Sequence, residues 1–318
     1  MRFDRLCLRA SAFLVGPTAV GKSDLALMVA RRLARGGQSV EIVALDSMTV
    51  YRRLDIGTAK PTAADRAEVP HHLLDLLDPH EEFTVAMYVA AAERAVQDIL
   101  NRKALPLFVG GSGLYLRTLL RGLFEGPEAD WSLRHQLEAQ ARDDGPERFH
   151  ARLGEVDAAT AARLHPNDLR RIIRAREVFE LTGRPLSEWQ QERPVESADR
   201  PRLLVWLDPD REGLYERIDR RVDVMLDAGL IAETRAVQET TGFGRTAGQS
   251  LGYREVLEHL AAGTPLESCR VAIQTHTRQF AKRQCTWFRN LEELEAIPVN
   301  ATTNWNDLAD QLVTRLTT

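Results

Sequence analysis

Residues 16–23, Gly16-Pro17-Thr18-Ala19-Val20-Gly21-Lys22-Ser23, satisfy GxxxxGK[ST] at every fixed position. The chemistry this spacing serves is the holding of phosphate oxygens. Glycines let successive backbone N–H groups curl around an anion. The helix that follows adds a partial positive charge. Lys22 adds a full one, and Ser23 offers a hydroxyl to Mg²⁺. The loop does not name its occupant. A nucleoside triphosphate is common, but any diphosphate satisfies the same donors.

Asp46 closes an apolar run, Glu41 to Leu45, on the side of a sheet where the phosphate loop must lie. Three roles are open to it: holding Mg²⁺ through water, accepting a proton from a nucleophile, or capping a turn. Gly110-Gly111-Ser112-Gly113 follows a second apolar run, Leu105 to Val109. Its small residues let a substrate approach the backbone, with Ser112 as donor, or let helix and strand pack tightly. Two stretches are basic. Arg163 to Arg176 holds five arginines against one aspartate. Ser268 to Asn290 holds Arg270, Arg278, Lys282, Arg283 and Arg289, no acid, and interleaved Phe280, Trp287 and Phe288. That mixture suits single-stranded RNA, which stacks on rings and needs cations for its phosphates. Solvated helix faces over core aromatics explain it equally well. His71 and His72 are adjacent, have no partner at metal-ligand spacing, and read as structural.

The elements that must position these residues alternate. Ser11 to Val15, Glu41 to Leu45, Leu105 to Val109 and Leu203 to Leu207 read as buried strands. Lys22 to Leu33, Phe83 to Leu100, Leu214 to Leu230 and Cys269 to Phe288 carry helical spacing. Such alternation predicts an α/β fold, a parallel sheet flanked by helices. From Ser132 to Gln191 the periodicity is helical without a convincing strand. The expected organisation is a core over 1–122, a helical insertion over 123–200, and a return to the core with C-terminal helices over 201–318.

The 318 residues include 44% hydrophobic and 28% charged, which argues against disorder as the main state. No apolar window is long enough for a membrane helix. The N-terminal stretch runs straight into the glycine loop, which argues against a signal peptide. The net charge of −4 argues against a non-specific nucleic-acid coat but leaves room for a local basic face. Cys7, Cys269 and Cys285 form no CxxC pair, and an odd number suits a reducing cytoplasm.

Taken together the motifs resemble one family closely, the tRNA dimethylallyltransferases, or isopentenyltransferases. The matching stretches are GPTAVGKSDLA at 16–26, DSMTVYRRLDIGTAKPT at 46–62, VPHHLLDLLDP at 69–79, FVGGSGLYLRTLL at 108–120, HPNDLRRIIRAREVFELTG at 165–183, LYERIDRRVDVMLDAGL at 214–230, SLGYRE at 250–255 and RQFAKRQCTWFRN at 278–290. They occur in family order over nearly the whole chain.

The resemblance implies a P-loop kinase-like fold whose helical insertion grips the anticodon arm of tRNA. It implies transfer of a dimethylallyl group from dimethylallyl diphosphate to N6 of the adenine at position 37, beside the anticodon, with Mg²⁺ required. It implies a cytoplasmic monomer. Carried over by position, the loop from Gly16 and Pro17 through Thr18, Ala19, Val20, Gly21, Lys22 and Ser23 binds the diphosphate. Ser23 is also the residue for the metal. Asp46 is the general base, and Ser112 matches the family's hydroxyl residue. Asp46, Ser47, Met48 and Thr49, with Ser112, Arg134, Arg170, Arg171, Ile172, Ile173 and Arg174, match tRNA-contacting positions. Arg217, Arg221 and Arg254 match neighbours of the phosphates. Thr49 departs from the glutamine usual in the family's DSxQ, and Arg170-Arg171 from its Gln-Arg. Both departures bear on nucleotide readout and leave the phosphate loop intact. The competing activities are prenylation of free adenine nucleotides, phosphate transfer by a small-molecule kinase, and a nucleotide-dependent RNA-binding switch without chemistry.

Overall fold

Four apolar runs of the sequence become the centre of one sheet, because each is buried along its length and can be covered on both faces. The computed structural model describes residues 2–123, 126–189 and 194–318. In chain order the first elements are α1 (Arg5–Ala10), β1 (Ala12–Val15), α2 (Lys22–Arg35), β2 (Val40–Leu45), α3 (Ala63–Glu68), β3 (His71–His72), α4 (Val85–Asn101), β4 (Leu105–Gly110) and α5 (Gly113–Arg121). There follow α6 (Trp131–Asp144), α7 (Pro146–Val156), α8 (Ala158–Ala161), α9 (Leu169–Thr182) and α10 (Leu186–Trp189). The last are β5 (Leu203–Pro209), α11 (Arg211–Asp227), α12 (Leu230–Thr240), α13 (Tyr253–Ala262), α14 (Leu266–Arg289), β6 (Glu295–Val299) and α15 (Trp305–Thr317).

The six strands run parallel in the order β3-β2-β4-β1-β5-β6. Residue Val15 pairs with Gly110 on one side and Trp206 on the other, and Leu45 also pairs with Gly110. The C-terminal ends of β2, β4 and β1 are therefore level, and the loops that leave them start side by side. This is the edge of a parallel sheet at which ligands bind. Helix α2 is preceded by Gly21, whose φ of 101° favours glycine, and buries Leu25, Val29 and Leu33 at four-residue spacing.

The described residues fall into two compact units, one spanning Gly122–Arg193, the other joining Arg2–Arg121 to Pro194–Thr318. The first is all helical, with Leu137, Phe149, Leu153, Ile172 and Val178 fully buried in its own core. Asp130 caps α6, Pro146 opens α7, and Gly183 closes α9 in the left-handed region. Gln190 and Gln191, at the end of the expected helical span, lie outside the described residues.

Several expectations need correction. Residues 194–200 belong to the sheet unit rather than to the insertion: Val195 is buried and donates its N–H to Glu293, and Asp199 faces Arg5. The helix expected over Leu214 to Leu230 runs from Arg211 to Asp227, and Gly229 at φ 101° caps a second helix that starts at Leu230. The strand β6 is an addition to these expectations, since a mostly exposed segment containing Pro298 lacks the signature of a buried strand. His71 and His72 form a two-residue edge strand, and His72 Nε2 meets the buried Glu41 at 2.6 Å. Among the described residues no helix is long and apolar enough to cross a membrane.

Ile172→Ala is expected to destabilise the helical unit by about 2–5 kcal/mol, the usual cost of such a cavity. Urea unfolding checks it, and a loss under about 1 kcal/mol would remove Ile172 from the core.

Candidate active site

The phosphate loop leaves β1 and is tied to its neighbours at both ends. Gly16 N–H donates to the Gly110 carbonyl at 3.3 Å, and the Gly21 carbonyl accepts from Leu25 N–H at 3.2 Å. Ala19 takes a left-handed φ of 63° between them. Lys22 Nζ folds back to donate to the Pro17 carbonyl at 2.6 Å.

Cations border this loop. Arg217, on α11, donates from Nε to the Ala19 carbonyl at 3.1 Å, while its Nη2 is buried without a partner. Arg221 lies one turn further on. No carboxylate among the described residues touches it, and burial lowers its pKa while the charge of Asp46 opposes that fall. Burial also pulls Lys22 down to about 7, with Arg221 pushing the same way and Asp46 resisting. Desolvated cations without direct counterions favour an anion strongly, because a charge removed from water needs a partner. Arg254, expected beside them, is held instead by Glu255 at 2.5 Å and His276 at 3.0 Å.

Asp46 stands at the end of β2. Its Oδ1 accepts from Met48 N–H at 2.8 Å and Thr49 N–H at 3.4 Å, so the capping role and a fixed carboxylate coexist. The Leu45 carbonyl accepts from both Gly111 N–H and Ser112 N–H at 3.1 Å, which draws the 110–113 loop over the end of β2. Tyr115 stacks on Tyr88 with ring centroids 4.0 Å apart, and Tyr88 donates to the Ala44 carbonyl. Burial and then the charge of Asp46 raise the pKa of Tyr115, so it stays neutral. Ser47, Met48 and Ser112 are partly exposed. Thr49 is buried, and its hydroxyl has no partner. A longer side chain there has to displace its surroundings.

The glycines of the 110–113 loop are explained by protein rather than substrate. A Cβ on Gly110 would stand 2.1 Å from the Leu45 carbonyl oxygen, one on Gly111 2.4 Å from Gln284 Nε2, and one on Gly113 2.3 Å from Trp287 Cδ1. Tight packing, one of the two readings open in the sequence, accounts for all three glycines.

The remaining candidates divide. In the helical unit, Arg134 grips the fully buried Glu177 with two bonds of 2.8 and 2.9 Å, and Arg174 meets the same carboxylate at 2.5 Å. Burial works against the charge on Glu177, but Arg134, Arg174 and Asp130 N–H together hold its pKa below the usual range. Ile172 and Ile173 are core residues, so their side chains are unavailable to a tRNA. Arg170 and Arg171 are exposed on α9. On α14, Arg278 pairs with Asp219, Arg270 with Asp223 and Arg289 with Asp208. Phe288 is buried against Trp206. Lys282, Arg283 and Phe280 stay exposed. Sequence reasoning missed Glu177 and Gln284, since a lone glutamate or glutamine in a helix carries no signal until its long-range partners are known.

The family described as IPP transferase matches residues 49–291. The chain belongs to the IPP transferase family. It is 48% identical over 283 residues to a tRNA dimethylallyltransferase of Geobacter metallireducens, covering 88% of this chain and 89% of the relative. It is 46% identical to a tRNA dimethylallyltransferase 1 of Trichlorobacter lovleyi, covering 91% and 94%. Among solved structures, the tRNA isopentenylpyrophosphate transferase of Bacillus halodurans is 36% identical, with a TM-score of 0.68 and 96% of each chain covered. A eukaryotic dimethylallyltransferase acting on tRNA is 27% identical, with a TM-score of 0.76 over 95% of this chain and 77% of that one. The family match begins at Thr49, after the phosphate loop and Asp46, so those residues rest on the longer pairwise likenesses and on the geometry above.

The Lys22 shift gives an expectation. An anion restores the charged form, so binding takes up a proton where free Lys22 is neutral. Above pH 7 this weakens inorganic diphosphate binding by up to about tenfold per pH unit, relative to Lys22→Arg, which stays charged. Calorimetry at pH 8 in two buffers of different ionisation enthalpy reads the uptake. Equal uptake by both proteins would contradict it.

Proposed function

We propose that this protein transfers the dimethylallyl group of dimethylallyl diphosphate to N6 of the adenine at position 37 of tRNA, releasing diphosphate. The observation that carries the reading is the pairing of a phosphate loop bordered by Lys22, Arg217 and Arg221 with a single fixed carboxylate, Asp46, at the next strand end. A kinase reading also leaves a role for Asp46, but the relatives described above are named as tRNA dimethylallyltransferases.

In the step proposed, the N6 nitrogen attacks C1 of the allyl group. The C1–O bond breaks, and its electron pair leaves with the diphosphate. The N6 proton passes to an oxygen of Asp46, and Ser112 helps to orient the amine. The cations and loop N–H groups stabilise charge as it grows on the leaving group. An exocyclic amine is a weak nucleophile, so orientation shares the work. The base must leave its stack to reach the donor.

Mg²⁺ fits the donor set. Among the described residues no cluster of three or more His, Cys, Asp or Glu could hold a metal. The Ser23 hydroxyl would suit an ion that keeps most of its waters and takes other ligands from substrate phosphates. When bound, it supplies further charge stabilisation to the diphosphate. The helical unit is read as the grip on the anticodon arm through exposed Arg170 and Arg171, with Arg134 and Arg174 shaping it through Glu177. A reducing cytoplasm, supported by three cysteines that are free and buried, completes the reading, with a monomer as its proposed state.

Unmodified tRNA carrying an adenine 3′ of its anticodon, incubated with the protein, Mg²⁺ and dimethylallyl diphosphate and then digested, should yield adenosine heavier by one dimethylallyl group. Prenylated AMP or consumed ATP without that product would select a competing activity. Asp46→Ala should slow the chemical step by about 10²-fold or more, the usual share of a positioned base. Single-turnover rates within about twofold of wild type would remove Asp46 from that role.

A further inference from the structure

Gln284 on α14 is 7% exposed, and both ends of its amide are bonded. Its Oε1 accepts from Thr18 N–H at 2.9 Å, and its Nε2 donates to the Gly111 carbonyl at 2.9 Å. Only one orientation of the amide satisfies a donor on one side and an acceptor on the other. The two partners lie in different loops, one after β1 and one after β4. Gly111 and Ser112 are bonded in turn to the Leu45 carbonyl, immediately before Asp46. A continuous chain of contacts thus runs from Thr18 in the phosphate loop through Gln284, Gly111 and Leu45 to the carboxylate.

We propose that Gln284 is a positioning residue that holds the phosphate loop in register with the end of β2, and so sets the diphosphate against Asp46. It also occupies the Thr18 N–H, which leaves the loop's anion cradle to the N–H groups from Ala19 onward. This rests on the reading of residues 16–23 as the diphosphate site. Both ends of the Gln284 amide are taken by backbone groups. Its effect passes through the loops it joins, where a small misplacement of reacting groups is costly.

Two variants separate positioning from mere packing. Gln284→Met keeps the volume and removes both bonds. Gln284→Glu keeps the acceptor, and regains the donor only when its carboxyl is protonated. Binding of inorganic diphosphate is measured by calorimetry, and KM for each substrate with kcat by steady-state kinetics, after thermal melts confirm folding. Gln284→Met should weaken diphosphate binding by about tenfold and lower kcat, with KM for tRNA changed by less than about twofold. Gln284→Glu should approach wild-type affinity as pH falls, because the protonated acid donates to Gly111 as the amide does. Wild-type binding matched by Gln284→Met, or a Gln284→Glu deficit indifferent to pH, would overturn the proposal alone. A wild-type protein that does not bind diphosphate would overturn the phosphate-site reading, and this proposal with it.

Discussion

The candidate site depends on the close approach of β4 to β2 at Gly110. There is no room for a side chain between Gly110 and the Leu45 backbone, where a Cβ would meet the carbonyl oxygen at 2.1 Å. Because the backbones touch, the Leu45 carbonyl can take two N–H groups from the next loop. That ties Asp46, the 110–113 loop and, through the Gly110 carbonyl, the start of the phosphate loop to the same strand ends. Parallel pairing supplies the level edge. The missing Cβ lets the edge become a site.

Electrostatics then give the site its preference. Lys22 and Arg221 are half-buried with no carboxylate in direct contact among the described residues, and Arg217 keeps a buried donor unpaired. Such an arrangement opposes folding slightly and favours anion binding strongly, because the binding partner supplies the missing counter-charge. The helical unit treats its cations in the opposite way. Arg134 and Arg174 are neutralised by Glu177, a carboxylate with no exposure, so they stiffen the helices that carry Arg170 and Arg171. In both units an arginine acts as scaffold where a carboxylate lies in contact, as for Arg134 with Glu177 and Arg278 with Asp219.

Helix α14 shows how one sequence pattern can mix both uses. Its arginines suggested RNA, yet Arg270, Arg278 and Arg289 find acids on α11 and at the end of β5. Its interior face carries Gln284 and Trp287 against the glycines of the 110–113 loop. Phe280, Lys282 and Arg283 are among the residues that face solvent.

Local patterns decided much by themselves. The phosphate loop, the four central strands, the helical character of the insertion and the candidacy of Asp46 are written in contiguous residues, because backbone donors, strand burial and helix period act over a few positions. The edge strand β6 was hidden, since its mostly exposed residues lack the apolar run that marks a buried strand. The fates of Arg134, Arg174, Arg254, Ile172 and Gln284 belonged to the tertiary structure. Each depends on a partner distant in sequence or on which helix face is enclosed. Charge neutralisation and enclosure are properties of neighbours in space, and a lone residue type cannot announce them.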